Sequence, residues 1–270
     1  MGPRASGSRW AGSDGGVGQP AGQVGHRRHR TREVANHATE PGEWPVLDWP
    51  SMDWSSLPLA AVLVAVAYVS GSIPMGVLVA RLAGGPDPRT IGSGRTGGTN
   101  ALRALGRKWA AVVVTGDVLK GAVPVLLARL LGAGPAVEVL CALAAVVGAS
   151  WSLFLRFRGG RGVGTGVGTM LVIQPLAVLL ATPVFVAVIV ITRYVSLGSL
   201  VGSAAVAAWT WLFWMAANGS ISVAYPIYTA LGAGLVWLAH ADNIERLRPA
   251  PSGSSTWGCS AGGGRARADH

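Results

Sequence analysis

From Leu57 to His240 the chain carries only three acidic residues, Asp87, Asp117 and Glu138, and its charge-free runs reach 24 residues (Leu57 to Ala80), 31 (Gly162 to Thr192) and 48 (Tyr194 to Ala241). A water-facing fold needs charge at far shorter intervals, whereas about 20 consecutive apolar residues make a helix long enough for a bilayer core of roughly 30 Å. In lipid every backbone polar group must find a partner within its own segment or sheet, and helices do so without neighbours. The stretch therefore reads as an all-α integral membrane protein. Composition agrees: 13% of the residues are charged, against about 25% in an ordinary soluble domain.

Charges cut this stretch into spans. Leu57 to Ala80 is expected to be one, Trp109 to Ala128 a second holding only Asp117 and Lys120, and Leu130 to Leu155 a third holding only Glu138. Tyr194 to Ala241 is long enough for two, most naturally separated at Asn218-Gly219-Ser220. Gly162 to Thr192 is either one long helix or a pair hinged at Gln174-Pro175, because proline disfavours helix at the residue before it. Taking it as a pair gives about seven transmembrane helices. One face then collects Arg81, Arg89, Arg95, Arg103, Arg107, Lys108, Arg156, Arg158, Arg161, Arg193, Arg246 and Arg248, against Arg129 alone on the other. Lys and Arg bias marks the cytoplasmic side, so the basic face and the segment after His240 are expected in the cytoplasm. The paired helices would be short, at about 13 to 17 residues each.

Outside the membrane domain, taken as residues 57–247, the two ends read differently. Residues 1–56 are rich in Gly, Ser, Arg and Pro without periodicity and read as a disordered basic tail, more naturally solvated than bound to lipid or nucleic acid. Met52 offers an alternative start just before the first span, which would make that tail an artefactual extension. Residues 248–270 read as a second disordered tail. Cys141 and Cys259 provide neither a disulfide framework nor a zinc spacing, so no metal or cofactor is expected.

Three polar clusters fall on the basic face. The first, Gly92 to Lys108 (GSGRTGGTNALRALGRK), mixes glycines, hydroxyls and cations, as a phosphate cradle of backbone N–H groups and Arg forks would; a flexible basic loop would read the same way. The second, Phe157 to Gly168 (FRGGRGVGTGVG), superficially matches a dinucleotide fingerprint, but no strand precedes it and no βαβ unit surrounds it. The third joins Thr192 to Ser196 with His240 to Ile244, His240 being the only histidine of the membrane domain. Asp117 and Lys120, three apart on one helix face, read equally as a structural pair or as part of a site, since ionisable groups inside a membrane are expensive. Glycines four apart, at 162/166, 164/168 and 198/202, read as close helix packing.

These residues, over about Leu57 to Leu247, resemble the integral-membrane acyl-phosphate:glycerol-3-phosphate acyltransferases of bacteria, the PlsY family. The matching pieces are GSIPMG (Gly71 to Gly76), GSG and TNALRALG of the first loop, DVLKG (Asp117 to Gly121), FRGGRGVGTG, TRYVSLGS (Thr192 to Ser199) and HADNIERL (His240 to Leu247), in order and spacing. The resemblance implies a seven-helix enzyme of the bacterial inner (plasma) membrane, its active site on the cytoplasmic face. Such an enzyme moves an acyl chain from acyl phosphate to the 1-hydroxyl of glycerol 3-phosphate, giving lysophosphatidic acid without a metal. Its partners would be those two substrates and membrane lipid, not nucleic acid.

By the same resemblance Ser93, Arg103, Arg161 and Ser196 would contact phosphate and acyl phosphate, while His240 and Asn243 would orient glycerol 3-phosphate. His240, Asn243 and Ser196 form the expected catalytic set; Gly92, Gly94, Thr99, Asn100, Gly159, Gly160 and Lys120 complete the expected substrate contacts. Four positions depart from the family pattern: Arg95 replaces the Asn of GSGN, Ala149 the His of GHxxP (its Pro is Ser152), Arg161 the Lys of GGKG, and Ala241 the Arg of HR. Arg for Lys exchanges a point charge for a fork. The four departures leave a second reading, a catalytically impaired relative that binds phospholipid or acyl phosphate, and the basic pocket leaves a third, an anion transporter.

Overall fold

The computed structural model describes residues 57–241, which form helices and no strands. Both tails, and Asn243 with them, lie outside the described residues. In chain order the helices are α1 (Leu57–Ser72), α2 (Met75–Leu82), α3 (Gly98–Leu105), α4 (Arg107–Leu130), α5 (Gly134–Ser150), α6 (Val163–Ile173), α7 (Pro175–Thr192), α8 (Val195–Ala216) and α9 (Ala224–Ala239). Four of them, α4, α5 with the turn that follows it, α7 and α8, are long and apolar enough to cross a membrane; α1 and α2 together make a fifth, bent candidate. Helices α6 and α9 are apolar but shorter, with 11 and 16 residues, so a count of seven is reached only by including them.

Gly162 to Thr192 is split at Gln174-Pro175 into α6 and α7, as the hinge reading expects. The halves are unequal, 11 and 18 residues, because α6 starts only after the glycine loop has turned. The separation of α8 from α9 likewise falls at Asn218-Gly219-Ser220.

Leu57 to Ala80 is not the uninterrupted span expected. It bends by 47° between α1 and α2, where Pro74 has no N–H to continue the ladder and disfavours helix at Ile73. A carbonyl released in this way is costly inside a bilayer. Lys120 of α4 answers it: Nζ donates to the Ile73 carbonyl at 3.1 Å and pairs with Asp117 at 2.7 Å. In return Ser70 Oγ donates to the Lys120 carbonyl at 3.0 Å. The Asp117–Lys120 pair thus holds a broken span together.

Small residues bring the helices close. A Cβ on Gly71 would lie 2.1 Å from the Ala145 carbonyl oxygen, one on Gly121 2.2 Å from that of Thr165, and one on Gly168 1.9 Å from that of Val118. These contacts lock α1 to α5 and α4 to α6, around a core that includes Leu63, Ala67, Val125, Ala142, Met170 and Tyr228. Without a hydrophobic drive between helices in lipid, such backbone approach supplies much of the cohesion.

At the end of the bundle where α4 finishes, Arg129 donates through Nε and Nη2 to Glu138 of α5 (3.2 and 2.7 Å) and through Nη1 to the Val172 carbonyl of α6. Tyr225 of α9 donates to the same carboxylate at 3.1 Å. Glu138, 5% exposed, therefore ties four helices at one point.

Candidate active site

The opposite end is built from loops. Gly92 takes a left-handed conformation (φ 63°), and a Cβ there would collide with Arg103 Nη1 at 2.6 Å and Asn100 Oδ1 at 2.7 Å. Only glycine lets the first loop fold this tightly onto α3. Asn100, 3% exposed, donates through Nδ2 to Ser93 Oγ at 3.1 Å and to the Arg95 carbonyl at 2.9 Å. Its amide thus shapes the turn of Ser93, Gly94 and Arg95. Thr99 follows Gly98 in the first turn of α3.

Thr96 carries this loop into the rest of the molecule. A Cβ on Gly76 of α2 would lie 2.1 Å from the Thr96 carbonyl oxygen, and one on Gly160 3.4 Å from Thr96 Oγ1. The second loop is anchored through its backbone: Gly159 N–H donates to the Ser150 carbonyl at 3.1 Å and Gly160 N–H to the Ala149 carbonyl at 2.8 Å. Both acceptors belong to the free C-terminal turn of α5, which needs such donors. Gly162 then turns with φ 71° to start α6.

From this loop Arg161 reaches the first turn of α8, its Nη1 donating to Ser196 Oγ at 3.3 Å. His240, 1% exposed, caps α9 and donates from Nδ1 to the Val236 carbonyl at 2.7 Å. Since a carbonyl can only accept, the neutral ring keeps its lone pair on Nε2. Burial holds the imidazole below its usual range, and the charges of Arg161 and Arg95 push it further down against the opposing Val236 bond. The site therefore favours the neutral imidazole, in the field of cations from two different loops.

The structure thus gathers Ser93, Asn100 and Arg103 around Gly92, and Arg161, Ser196 and His240 around the start of α6, with Arg95, Thr96 and Gly160 between them. Lys120 is engaged at the α1–α2 break through the Ile73 carbonyl and Asp117. Asn243 lies outside the described residues. Ser152, in place of the family proline, donates Oγ to the Ser72 carbonyl at 2.5 Å, a bond proline could not make. Thr96 was missed from the sequence; a lone hydroxyl in a loop carries no pattern that marks it.

Next to this cluster, among α6, α7, α8 and α9, lies an apolar cavity of about 280 Å³ lined by residues including Val146, Val163, Met170, Phe185 and Val236. Val163 follows the Gly162 turn and Val236 holds His240, so the cavity adjoins the polar site. Gly166 lines it too, with nothing nearer than 3.9 Å to a Cβ placed there; unlike Gly168, it leaves space rather than closing a contact.

Fold and site define an integral membrane protein with a cationic, glycine-lined polar end set beside an apolar cavity. Residues 61–250 match the family described as glycerol-3-phosphate acyltransferase, and the chain belongs to that family. It is 44% identical over 185 residues to the glycerol-3-phosphate acyltransferase of Rubrobacter xylanophilus, covering 68% of this chain and 89% of the relative. It is also 44% identical over 186 residues to that of Thermus thermophilus, covering 67% and 88%. Among solved structures it is similar to the crystal structure of PlsY, an integral membrane glycerol 3-phosphate acyltransferase, in its glycerol 3-phosphate form. The TM-score is 0.63 at 35% identity, covering 70% of this chain and 92% of that one. The lysophosphatidic acid form gives 0.62 at 34% identity, covering 70% and 91%.

Proposed function

We propose that the protein transfers an acyl chain from acyl phosphate to the 1-hydroxyl of glycerol 3-phosphate, giving lysophosphatidic acid and inorganic phosphate, at the cytoplasmic face of a bacterial inner membrane. The observation that carries this reading is the gathering of Arg161, bonded to Ser196, and buried His240 beside an apolar cavity. Two phosphate-bearing substrates need cations and N–H donors, while one acyl tail must stay out of water. The glycerol 3-phosphate and lysophosphatidic acid forms of the similar solved structures correspond to acceptor and product.

In this mechanism Arg161 and Ser196 hold the acyl phosphate with its chain in the apolar cavity, and Ser93, Arg103 and the Gly92–Gly94 and Gly159–Gly160 turns receive phosphate. His240 orients the glycerol hydroxyl through Nε2, a role the family resemblance also gives Asn243. The hydroxyl oxygen attacks the acyl carbon, the bond from that carbon to the phosphate oxygen breaks, and phosphate leaves. A substrate phosphate, with a second pKa of about 6, is the natural acceptor for the hydroxyl proton. Arg and N–H donors stabilise the tetrahedral oxyanion.

Retained turnover is favoured over an impaired relative because position 149 anchors the glycine loop through its backbone carbonyl, which alanine supplies as well as histidine. An anion path would need a polar lining, and the adjoining cavity is mostly aliphatic. The test is complementation of a bacterium lacking its own acyl-phosphate acyltransferase. Growth supports the reading, and failure of a membrane-inserted protein to restore growth contradicts it.

A further inference from the structure

Beyond the Ser93 to Arg95 turn lies a second cavity, of about 650 Å³ and open to the surface, lined by Asp87, Arg89, Thr90, Gly94, Leu155, Arg156 and Arg158. It shares Gly94 with the proposed active site, but none of its arginines belongs to that site. Arg89 is held in place by both oxygens of Asp87, with Nη2 at 2.7 Å, which neutralises that carboxylate. No described acid pairs with Arg156 or Arg158, because Asp117 and Glu138 are engaged elsewhere. Three guanidinium groups therefore face one carboxylate across a space large enough for a ligand.

The backbone there is unusual. Arg156 and Phe157 are consecutive non-glycine residues with positive φ, 51° and 61°. Such conformations are unfavourable for ordinary side chains and persist where the surroundings enforce them. Here Phe157 N–H donates to the Ser152 carbonyl at 2.8 Å and Arg158 N–H to that of Leu155 at 3.1 Å. The turn sets Arg156 and Arg158 on the cavity while Phe154 and Phe157 remain 55% and 58% exposed.

Position identifies the ligand class. The candidate span that contains α5 ends at Leu155, so Arg156 and Arg158 follow directly where hydrocarbon gives way to headgroups. Cations flanked by exposed aromatic residues are the pattern of a lipid-interface site, and arginine forks suit phosphate oxygens. We infer that this cavity binds the phosphate of an anionic membrane phospholipid, with the acyl chains of that lipid lying against Phe154 and Phe157. The inference rests on the membrane placement alone and not on the acyl-transfer reading.

The experiment places the full chain in nanodiscs of mixed phosphatidylcholine and phosphatidylglycerol and counts the lipid retained after transfer to neutral detergent. The protein should retain phosphatidylglycerol over phosphatidylcholine, and R156Q/R158Q should lower that preference about tenfold or more, as expected for losing two charge-assisted contacts. Inorganic phosphate should not displace the lipid, since it cannot use the aromatic flank. If the double variant does not stay monodisperse, R158K must keep the preference and R158Q must weaken it. Equal retention of both lipids, an unchanged preference in R156Q/R158Q, or displacement by inorganic phosphate would overturn the inference, the last by making the cavity a site for a soluble anion.

Discussion

The two ends of the bundle handle charge in opposite ways. At one, Arg129, Glu138, Tyr225 and the Val172 carbonyl satisfy one another across four helices. At the other, Arg103, Arg156 and Arg158 have no described carboxylate for a partner, and glycine turns hold the loops that carry Ser93 and Arg161. A buried charge is tolerated when its partner is built in; a cation without a built-in partner is placed to meet an anion from outside. The closed end is therefore expected to govern stability and the loop end activity, and variants should separate the two.

The largest effect belongs to the closed end. Glu138→Ala leaves Arg129 without its carboxylate, and breaking a buried pair costs about 3–5 kcal/mol. With the Arg129 side chain 37% exposed, the low end, roughly 3 kcal/mol, is expected. Thermal unfolding in detergent should show this loss while kcat per folded molecule stays unchanged; a fall in kcat with unchanged melting would break the division between the ends.

Arg103→Ala and Arg161→Ala should do the reverse. Each removes charge-assisted hydrogen bonds worth about 1.5–3 kcal/mol, or roughly 10- to 150-fold in kcat/KM. Exposed Arg103 should leave the melting temperature nearly unchanged, which steady-state assays paired with thermal unfolding would check.

His240 offers a finer test. Its pKa is lowered by burial and by the Arg161 and Arg95 charges, so the acid limb of kcat/KM should lie below the ordinary imidazole value near 6.5. For stability the sign is the same: protonation is disfavoured in the fold, so the His240 contribution is constant above about pH 6.5 and stability falls below it. Arg95→Asn removes one of the charges acting on the ring and should move the acid limb part of the way back up. An unmoved limb would show that Arg95 does not act on His240.

Spans were legible in the sequence because charge is rare inside a membrane: α4, α5 and the division of α8 from α9 follow from it, and Pro175 marks the hinge. The bend at Pro74 was overlooked, although it carries the same proline signal, because 24 charge-free residues already fit one span, whereas the 31 around Pro175 exceed it. Clustering of the site was legible in part. Glycines and cations in the loops point to phosphate, but only three-dimensional packing brings Arg161 to Ser196 and the charge of Arg95 to His240. Lys120 shows the limit most clearly. Its partner Asp117 follows from the three-residue spacing, but the Ile73 carbonyl 47 residues away, which it also meets, follows no sequence spacing.

The most direct measurement gives the purified protein acyl phosphate with glycerol 3-phosphate or with glycerol, in the presence of a chelator, and counts acylated product and released phosphate. The account predicts lysophosphatidic acid with one phosphate released per acyl group transferred, undiminished by the chelator, and very slow acylation of glycerol, which lacks the phosphate that docks it and takes its proton. Glycerol acylated nearly as fast would refute phosphate assistance. No product from either acceptor, with Ala149→His restoring turnover, would contradict the account by showing that the missing histidine is indispensable.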